Sequence, residues 1–574
     1  MAVDAQALLE SLDPEQRQVA LAARGPVCVL AGAGTGKTRA ITHRIAYATC
    51  IGVMNPAHTL ALTFTVRAAG ELRGRLRELG AGAETVRAST FHAAALRQLT
   101  YFWPRVIGGR PPKLIESKLP LLREAAAELK LRMESTALAD AAAEIEWAKA
   151  SQVRPDGYPS AASAAGRSPS WGPEQVGRLF EAYERLRRER QLIDFESVLE
   201  LTAAMVYAEP TVARQVHENF RHFTVDEYQD VSPLQKLLLD AWIGDRDDLC
   251  VVGDPQQTIY TFAGASSEHL RSFGMEFPGA TVVRLVRDYR STPQVVAAAN
   301  RLTLRAGAEL IAQREAGPDP VFAEYPDDAA EAGAVAARIQ GLAAAGVAYR
   351  GISILVRINA QTMRFEQALA DAGIPYVVRG AERFYERPEV RKALVLLRGA
   401  ARAAADGTEA ELPPLGPLAR ARRGPLTEQV RHVLATAGLT AVPPAAGGKT
   451  RERWESLSAI AQLAEDLEGM SLEAFAAELS RRAELGHAPV PDAVTLASMH
   501  SAKGLEWDAV ILPSLIEGIM PIGYARAPEA IDEERRLLYV AVTRARKHLA
   551  LSWSQASGKP SRFVAELRRG EGIR

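Results

Sequence analysis

The stretch that decides the fold is residues 27–40, which read VCVLAGAGTGKTRA. A short apolar run leads into a turn with three glycines, and Lys37 and Thr38 follow where a helix is expected to begin. A strand, a glycine-rich turn and a helix start in that order surround an anion with backbone N–H groups, because a helix N-terminus carries partial positive charge. The stretch therefore predicts a polyphosphate-binding loop in an α/β fold.

This loop fits a known phosphate-binding pattern with one departure. In G-x-x-x-x-G-K-[ST], Gly36, Lys37 and Thr38 supply the last three positions, whereas Ala31 stands in place of the first glycine. Backbone N–H groups from Ala33 to Thr38 still suit a phosphate group. We expect Lys37 to contact the β- and γ-phosphates and Thr38 to bind Mg²⁺. The alternative is a glycine-rich turn with a solvated lysine.

Two adjacent carboxylates follow a second apolar strand. Residues 223–230 read FTVDEYQD, so Asp226 and Glu227 lie at the strand end. We expect Asp226 to hold the Mg²⁺ shell and Glu227 to polarise the attacking water as general base, with an acidic surface turn as the alternative. The stretch CVVGDPQQTIYTFAGA (250–265) starts with a third strand. Gln257, after that strand, is a weaker candidate for contact with the γ-phosphate.

Composition limits the class of protein. The chain has 574 residues, more than one hydrophobic core supports, and its 69 Lys and Arg residues balance 69 Asp and Glu residues. Any nucleic-acid surface must therefore be local. Cys28, Cys50 and Cys250 are too few for a disulfide framework or a zinc site. No apolar stretch is long enough to span a membrane, and we infer a reduced, cytoplasmic setting.

Apolar strand-like runs fall in two groups, which predicts two α/β cores with parallel sheets. The first group is at 26–31, 59–63, 223–226 and 249–253. The second is at 281–285, 352–356, 375–378, 494–498, 509–512 and 548–552. The first insert has apolar residues at helical spacing, interrupted by the loop RPDGYPSAASAAGRSPSWGP. The second contains short helices separated by segments with Pro and Gly. The predicted domains are a first core (1–99 and 191–280), its helical insert (100–190), a second core (281–398 and 493–574) and its insert (399–492).

Nine stretches, in order along the chain, resemble the motifs of the superfamily 1A DNA helicases, the UvrD/Rep/PcrA family. They are LDPEQRQVA (Q motif), AGAGTGKTR (I), LTFTVRAAGEL (Ia), STFHAAALR (Ib), VDEYQD (II), VGDPQQTIYTFAGA (III), RDYRSTPQVV (IV), ASMHSAKGLEWDAVIL (V) and EERRLLYVAVTRAR (VI). This family typically has Ala-Gly-Ala-Gly at the phosphate loop, which accounts for Ala31. The resemblance implies an α/β fold of two RecA-like P-loop cores, each carrying a mainly helical insert.

The resemblance also implies an activity and its partners. It implies an ATP-dependent DNA helicase that uses ATP and Mg²⁺, moves 3′ to 5′ on single-stranded DNA, engages single-strand/double-strand junctions and serves DNA repair or replication. It further implies a monomeric motor, a possible accessory protein and no membrane partner. ATP bound between the two cores would close them, and hydrolysis would release them.

The family roles of the nucleotide contacts are carried over residue by residue. By resemblance, Gln16 reads adenine, Tyr289 stacks on it, and Glu506 meets the ribose. Arg290 and Arg544 reach the γ-phosphate from the second core, where an arginine typically supplies about 10³ to 10⁵ in rate. The implied ATP contacts are Gln16, Ala33, Gly34, Thr35, Gly36, Lys37, Thr38, Arg39, Tyr289 and Glu506.

The family also implies a set of DNA contacts, to which Gln257 would couple the γ-phosphate. A base stacked on an aromatic ring contributes about 1 to 3 kcal/mol. Core packing is the alternative for each ring, above all for Phe64 and Phe91. The family usually has Trp-Arg where this chain has Phe262-Ala263, so a ring is kept and a phosphate contact is lost. The implied DNA contacts are Phe64, Thr65, Phe91, His92, Tyr260, Phe262, Asn359 and His500.

Within the family, the stretch FHAAALRQLTYFWPRVIGG and the Ala- and Arg-rich style resemble the second UvrD paralogue of actinobacteria. Those proteins often continue into a four-cysteine segment and an HRDC domain, and the ending SGKPSRFVAELRRGEGIR leads us to expect a shorter form without either. The insert at 399–492 is shorter than in the best-known members and has no Gly-Ile-Gly loop for duplex contact.

The short insert leaves a second reading open, a DNA-stimulated ATPase that translocates but needs a partner to unwind. A third reading is a binding protein that uses ATP as a switch without stepping. A nuclease-fused motor is disfavoured because no further domain follows the last motif. A P-loop kinase is disfavoured because it lacks a second core with paired arginines.

Overall fold

The fold is described from a computed structural model of the chain. The structure describes residues 4–133, 135–167, 169, 171–303, 309–358, 361–379, 385, 388–405, 424–442, 449–485, 492–523 and 525–568. The chain divides into two compact units, Met1–Val286 (unit 1) and Arg287–Arg574 (unit 2). Within the described ranges, no helix combines the length and the apolar character that crossing a bilayer requires.

Unit 1 is built on a parallel sheet. Its strands are β1 (Val27–Ala31), β2 (Thr59–Thr63), β3 (Arg87–Thr90), β4 (Lys113–Leu114), β5 (Leu192–Ile193), β6 (His222–Val225), β7 (Leu249–Gly253) and β8 (Thr281–Leu285). Six of them form one sheet in the order β3-β2-β6-β7-β1-β8, while β4 and β5 pair separately. The central strands are fully buried, because helices cover both faces of a parallel sheet. Their carboxyl ends therefore meet at one edge.

Helices of unit 1 cover the sheet and also form a separate helical insert. They are α1 (Ala5–Glu10), α2 (Pro14–Leu21), α3 (Lys37–Cys50), α4 (Val66–Leu79), α5 (Phe91–Val106), α6 (Leu119–Glu128), α7 (Ser135–Ala150), α8 (Tyr158–Ala164), α9 (Pro173–Glu189), α10 (Phe195–Ala208), α11 (Pro210–Asn219), α12 (Pro233–Ile243), α13 (Glu268–Arg271) and α14 (Phe273–Glu276). The insert, α6 to α9, packs around its own core, which includes Leu122, Ile145 and Tyr183. This confirms the predicted helical insert.

Unit 2 repeats the α/β arrangement. Its strands are β9 (Arg287–Asp288), β10 (Ile311–Ala312), β11 (Val321–Tyr325), β12 (Ile352–Val356), β13 (Tyr376–Arg379), β14 (Val494–Ser498), β15 (Trp507–Leu512) and β16 (Ala545–Ser554). Six of them form a sheet in the order β11-β16-β15-β12-β14-β13, and every pairing in it is parallel. The prediction of two parallel-sheet cores is confirmed.

Helices of unit 2 again divide between the sheet and an insert. They are α15 (Pro293–Thr303), α16 (Asp328–Ala344), α17 (Thr362–Asp371), α18 (Pro388–Ala405), α19 (Leu426–Thr436), α20 (Lys449–Asp466), α21 (Leu472–Leu485), α22 (Pro528–Val542) and α23 (Arg562–Arg568). Helices α18 to α21 share an apolar core that includes Val430, Ile460 and Phe475. The second insert is thus helical where the structure describes it.

Two local predictions need correction. The strand at 281–285 was assigned to the second core, but β8 pairs with β1, with Val27 opposite Thr281, and so belongs to unit 1. A strand at the edge of a sheet is amphipathic, and its sequence does not say which sheet accepts it. The loop predicted around residue 160 contains α8, which forms because Tyr158 and Ala162 are buried in the insert core.

Candidate nucleotide and DNA sites

The glycine-rich loop joins β1 to α3 and is held from three sides. The N–H of Gly32 donates to the Leu285 carbonyl of β8 at 3.3 Å, and the Thr35 hydroxyl donates to the Gly32 carbonyl at 2.9 Å. Gly36 has a φ of +78°, and a Cβ placed on it would lie 2.6 Å from Nε2 of Gln16. Glycine suits this position because L side chains rarely adopt its left-handed backbone, and a Cβ would have to displace the Gln16 amide.

The Q motif is attached directly to this loop. Gln16 is 3% exposed, and its Nε2 donates to the Thr35 carbonyl at 3.0 Å. Its own N–H donates to the side chain of Asp13, the cap of α2, at 2.7 Å. From the other side, the Arg39 guanidinium of α3 donates to the Ser11 carbonyl at 2.6 Å. The segment before β1 is therefore fixed to the phosphate loop, while the adenine contact of Gln16 stays a prediction.

Lys37 and the two carboxylates lie together at the carboxyl edge of the sheet. Nζ of Lys37 is 3.4 Å from the carboxylate oxygens of Glu227. Glu227 has a left-handed backbone with φ +53°, and its N–H donates to Oδ1 of Asp226 at 2.9 Å. Burial and the neighbouring Glu227 carboxylate raise the pKa of Asp226 to about 7. The structure thus brings together the lysine, the acid and the base that the motifs predicted.

Two residues that sequence reasoning missed connect this base to Gln257. The Gln229 Nε2 donates to Glu227 at 2.5 Å, and its Oε1 accepts from the N–H of Asp254 at 3.0 Å. Oδ2 of Asp254 in turn accepts from Nε2 of Gln257 at 2.8 Å. Both residues lie inside the quoted motif stretches, DEYQD and GDPQQ, where polar side chains at a strand end were the available signal. A buried amide–carboxylate chain therefore runs from Glu227 to Gln257.

Oxygen ligands suited to Mg²⁺ lie at the same edge of the sheet. Thr38 is in the first turn of α3, and Asp226 directly follows β6. Among the residues that the structure describes, no cluster of three or more His, Cys, Asp or Glu side chains is arranged to hold a metal. A single carboxylate and a hydroxyl suit Mg²⁺, because waters and substrate phosphates supply the other ligands of its coordination shell. The donor set agrees with the predicted metal ligands.

In unit 2, both predicted arginines are held around the end of α22. Arg544 is 2% exposed. It donates from Nε to the Val540 carbonyl at 2.9 Å and from Nη1 to the Leu505 carbonyl at 3.2 Å. Arg290 donates from Nη1 to the Thr543 carbonyl at 3.2 Å. The two arginines therefore lie close together at the end of α22, and their contact with the γ-phosphate stays a prediction.

Glu506, the predicted ribose contact, lies between two arginines of unit 2. It forms ion pairs with Arg290 and with Arg546, the latter at 2.6 Å. The Arg290 and Arg546 charges hold the pKa of Glu506 below its usual value despite partial burial. Arg546 was not predicted, although it is the last residue of the stretch that resembles motif VI. Tyr289, the predicted adenine stack, is 45% exposed.

Three predicted DNA contacts line one cavity of unit 1. The cavity has a volume of about 270 Å³, and its walls include Phe64, His92 and Tyr260 together with Glu146 from the insert. Burial lowers the pKa of His92 to about 4, so this ring is neutral at physiological pH. Phe262 is 53% exposed, and its ring centroid lies 6.0 Å from that of Tyr260. We call the cavity lined by Phe64, His92 and Tyr260 the aromatic cavity.

The other predicted DNA contacts have mixed placements. Phe91 is 1% exposed and stacks on Trp242 with 6.2 Å between ring centroids, so its ring is part of the core and presents no face to solvent. Thr65 is exposed, and its hydroxyl caps α4 by accepting from Ala68 at 3.1 Å. In unit 2, burial and the charge of Arg357 lower the pKa of His500 to about 4. Asn359 lies outside the described residues.

Comparisons with known proteins cover both units. The UvrD/REP helicase N-terminal domain matches residues 12–278, and the UvrD-like helicase C-terminal domain matches residues 283–407 and 419–556. The chain is 48% identical to the ATP-dependent DNA helicase UvrD2 of Mycobacterium tuberculosis (strain H37Rv), over 98% of the chain and 82% of the relative. It is 30% identical to DNA helicase II of Escherichia coli (strain K12), over 98% and 88%. It is 28% identical to the ATP-dependent DNA helicase PcrA of Bacillus subtilis (strain 168), over 98% and 86%.

These matches agree with the motif analysis and with the two parallel-sheet units. The Q motif and motifs I to III fall within the N-terminal match, and motifs IV to VI fall within the C-terminal match. The resemblance to the second actinobacterial paralogue is also confirmed by the 48% identity. The two units are RecA-like helicase cores, and the chain belongs to the UvrD/Rep helicase family.

Proposed function

We propose that the chain is an ATP-dependent DNA helicase that moves 3′ to 5′ on single-stranded DNA and unwinds duplex from a single-strand/double-strand junction, in DNA repair or replication. The observation that supports it most directly is the contact between Lys37 and Glu227, which joins a phosphate loop to a candidate general base. Membership of the UvrD/Rep family makes DNA the polymer acted on. The proposal includes a cytoplasmic location and a monomeric motor.

The contacts around Lys37 suggest how turnover begins. With bound ATP, Lys37 would exchange the Glu227 carboxylate for the β- and γ-phosphates, because the phosphate chain carries several negative charges and the carboxylate only one. Glu227 would then be released to accept a proton from the attacking water. Thr38 and Asp226 would hold Mg²⁺, which neutralises phosphate charge when bound. Asp254 and Gln257 would keep the base aligned through Gln229.

In the proposed cycle, the nucleotide links the two units. Arg290 and Arg544 of unit 2 would contact the γ-phosphate of ATP held by unit 1, with Gln16, Tyr289 and Glu506 as the proposed adenine and ribose contacts. Because the γ-phosphate is present only before hydrolysis, binding would favour one arrangement of the units and hydrolysis another. Strand contacts by Phe64, Tyr260 and Phe262 would convert that alternation into movement along DNA.

A second candidate is a DNA-stimulated translocase that unwinds only with an accessory protein. The short insert at 399–492 favours it, because that region lacks the duplex-contact loop of the best-known members. The test is an unwinding assay on duplexes with either a 3′ or a 5′ single-stranded tail, with ATPase measured on the same substrates. Unwinding of the 3′-tailed duplex alone supports the first proposal. ATPase stimulation without strand displacement supports the second, and ATPase indifferent to DNA overturns both.

A further inference from the structure

Three arginines of unit 1 converge on the outer strand of the sheet, and we call Arg73, Arg87 and Arg97 the arginine patch. Arg87 begins β3, the edge strand. Nη1 of Arg73 donates to the carbonyl of Ala88 at 2.7 Å, and Nη2 of Arg97 donates to the Ser89 hydroxyl at 2.9 Å. Three guanidinium groups are therefore attached to three consecutive residues of one strand.

Among the residues that the structure describes, none of the three guanidinium groups of the arginine patch forms an ion pair, although some other arginines of unit 1 do. These include Arg67, Arg167, Arg185, Arg187 and Arg190, each paired with a glutamate. Burial and the charges of Arg87 and Arg73 lower the pKa of Arg97, which is the result expected from mutual repulsion. An anion bound here would relieve that repulsion.

A purely structural role accounts for only part of the arginine patch. Arg73 occupies a carbonyl of an edge strand, which protects the edge from pairing with another chain. Arg87 lies over the ring of Phe220 at 5.3 Å, so its aliphatic part also packs. One guanidinium is enough to protect the strand edge, and neither role requires three positive charges on one strand.

The arginine patch continues from the proposed DNA contacts of the same unit. Helix α4 begins after Thr65, and α5 carries His92 in its first turn. At the rise of an α-helix, Arg73 lies about 12 Å along α4 from Thr65, and Arg97 lies about 8 Å along α5 from His92. Each helix therefore carries one arginine of the patch about 12 Å or less, along its axis, from a residue predicted to contact DNA.

We propose that the arginine patch binds the phosphate backbone of single-stranded DNA that extends beyond the aromatic cavity. Guanidinium groups match phosphate oxygens in charge and in planar donor geometry. The contact would carry no base preference, and it would lengthen the stretch of strand held by unit 1. This inference rests on the proposed DNA-binding function and adds contacts beyond those that the family resemblance implies, although Arg97 itself ends the motif Ib stretch.

The test compares Arg87→Gln/Arg97→Gln with the wild-type chain. DNA affinity is measured by fluorescence anisotropy over a range of salt, with short oligonucleotides that fill the cavity and longer ones that reach β3. Two lost phosphate contacts reduce the slope of log affinity against log salt by about 1.4, at about 0.7 per contact on single strands. The reduction is expected on long oligonucleotides only. Arg185→Gln/Arg190→Gln is the matched control, because it removes two exposed insert arginines and the same charge.

The outcomes separate this inference from the proposed function. Equal slopes for both double variants on long oligonucleotides overturn the arginine patch as a DNA contact. A reduced slope on duplex DNA alone also overturns it, since the site would then bind duplex. Wild-type protein that neither binds DNA nor hydrolyses ATP faster with it contradicts the proposed function itself. Thermal melting of each variant checks folding, and Arg97→Lys, which keeps the charge, is expected to keep the wild-type slope.

Discussion

The charged residues around Lys37 in unit 1 and around Glu506 in unit 2 differ in how their charges are compensated. In unit 1, burial raises the pKa of both Asp226 and Asp254, and Lys37 is the cation whose charge opposes both shifts. In unit 2, Glu506 lies between Arg290 and Arg546, and its pKa is held low. In unit 1, ionisation of the two buried aspartates therefore costs free energy unless a cation lies nearby. In unit 2, the ionic groups just described already form ion pairs. We therefore expect a bound cation to lower the pKa of the two aspartates in unit 1, whereas a ligand in unit 2 would exchange one ion-pair partner for another.

The largest expected effect is at Lys37. Lys37→Ala is expected to lower the kcat of DNA-stimulated ATPase by about 10²- to 10³-fold or more, because a charge that stabilises the transferring phosphoryl group is lost. Steady-state phosphate release measures it, and DNA binding should persist. Lys236→Ala is the control, since Lys236 is also an ion-paired lysine of unit 1, bound to Asp240 and Glu276. An equal loss in the control would contradict the assignment.

The next effect separates the two arginines of unit 2. Arg290→Ala and Arg544→Ala should both reduce turnover, but Arg544→Ala should also lower the free energy of unfolding by about 1 to 3 kcal/mol. Its removal deletes hydrogen bonds to the carbonyls of Val540 and Leu505 and empties a buried position. Chemical denaturation and ATPase assays on both variants measure this. Full activity in either variant would remove that arginine from the proposed site.

A smaller effect distinguishes the exposed ring of Phe262 from the buried ring of Phe91 in unit 1. Phe262→Ala should slow translocation and raise the DNA concentration for half-maximal ATPase with little change in stability, because the ring is exposed. Phe91→Ala should instead lower the free energy of unfolding by about 3 to 5 kcal/mol, because it empties a core position. Stopped-flow translocation and denaturant melts are the measurements. If Phe262→Ala leaves strand movement unchanged, the ring is not a DNA contact.

The smallest effect is on the pH dependence of stability. Because burial lowers the pKa of His92 from 6.5 to about 4, the unfolded chain binds more protons between these values. Stability contributed by neutral His92 is complete above pH 6.5 and is lost as the pH falls toward 4. In His92→Gln the free energy of unfolding should fall less between pH 7 and pH 5 than in the wild type. A parallel pH dependence in both proteins would show that His92 is not buried in its neutral form.

The sequence allowed us to predict the location of residues that directly follow the strands of a parallel sheet. In a parallel sheet the carboxyl ends of the strands share one edge, so Lys37, Glu227 and Gln257 were predictable from the strands that precede them. The connecting residues Gln229 and Asp254 were not singled out, because several polar residues follow each strand and only packing selects those that meet.

Aromatic contacts were the least predictable. Phe64 and Phe91 occur in similar motif stretches, yet Phe64 lines a cavity while Phe91 stacks on Trp242, a residue far away in sequence. Exposure of a ring depends on such distant neighbours, which spacing does not reveal. The sheet that accepts β8 was missed for the same reason.

The close approach of Gln16 to Gly36 has a consequence for evolution of the site. Nε2 of Gln16 occupies the place that a Cβ on Gly36 would take, and it donates to the carbonyl of Thr35, the residue before that glycine. A substitution at position 16 therefore removes a hydrogen bond from the loop that carries Lys37, so positions 16 and 36 are expected to change together.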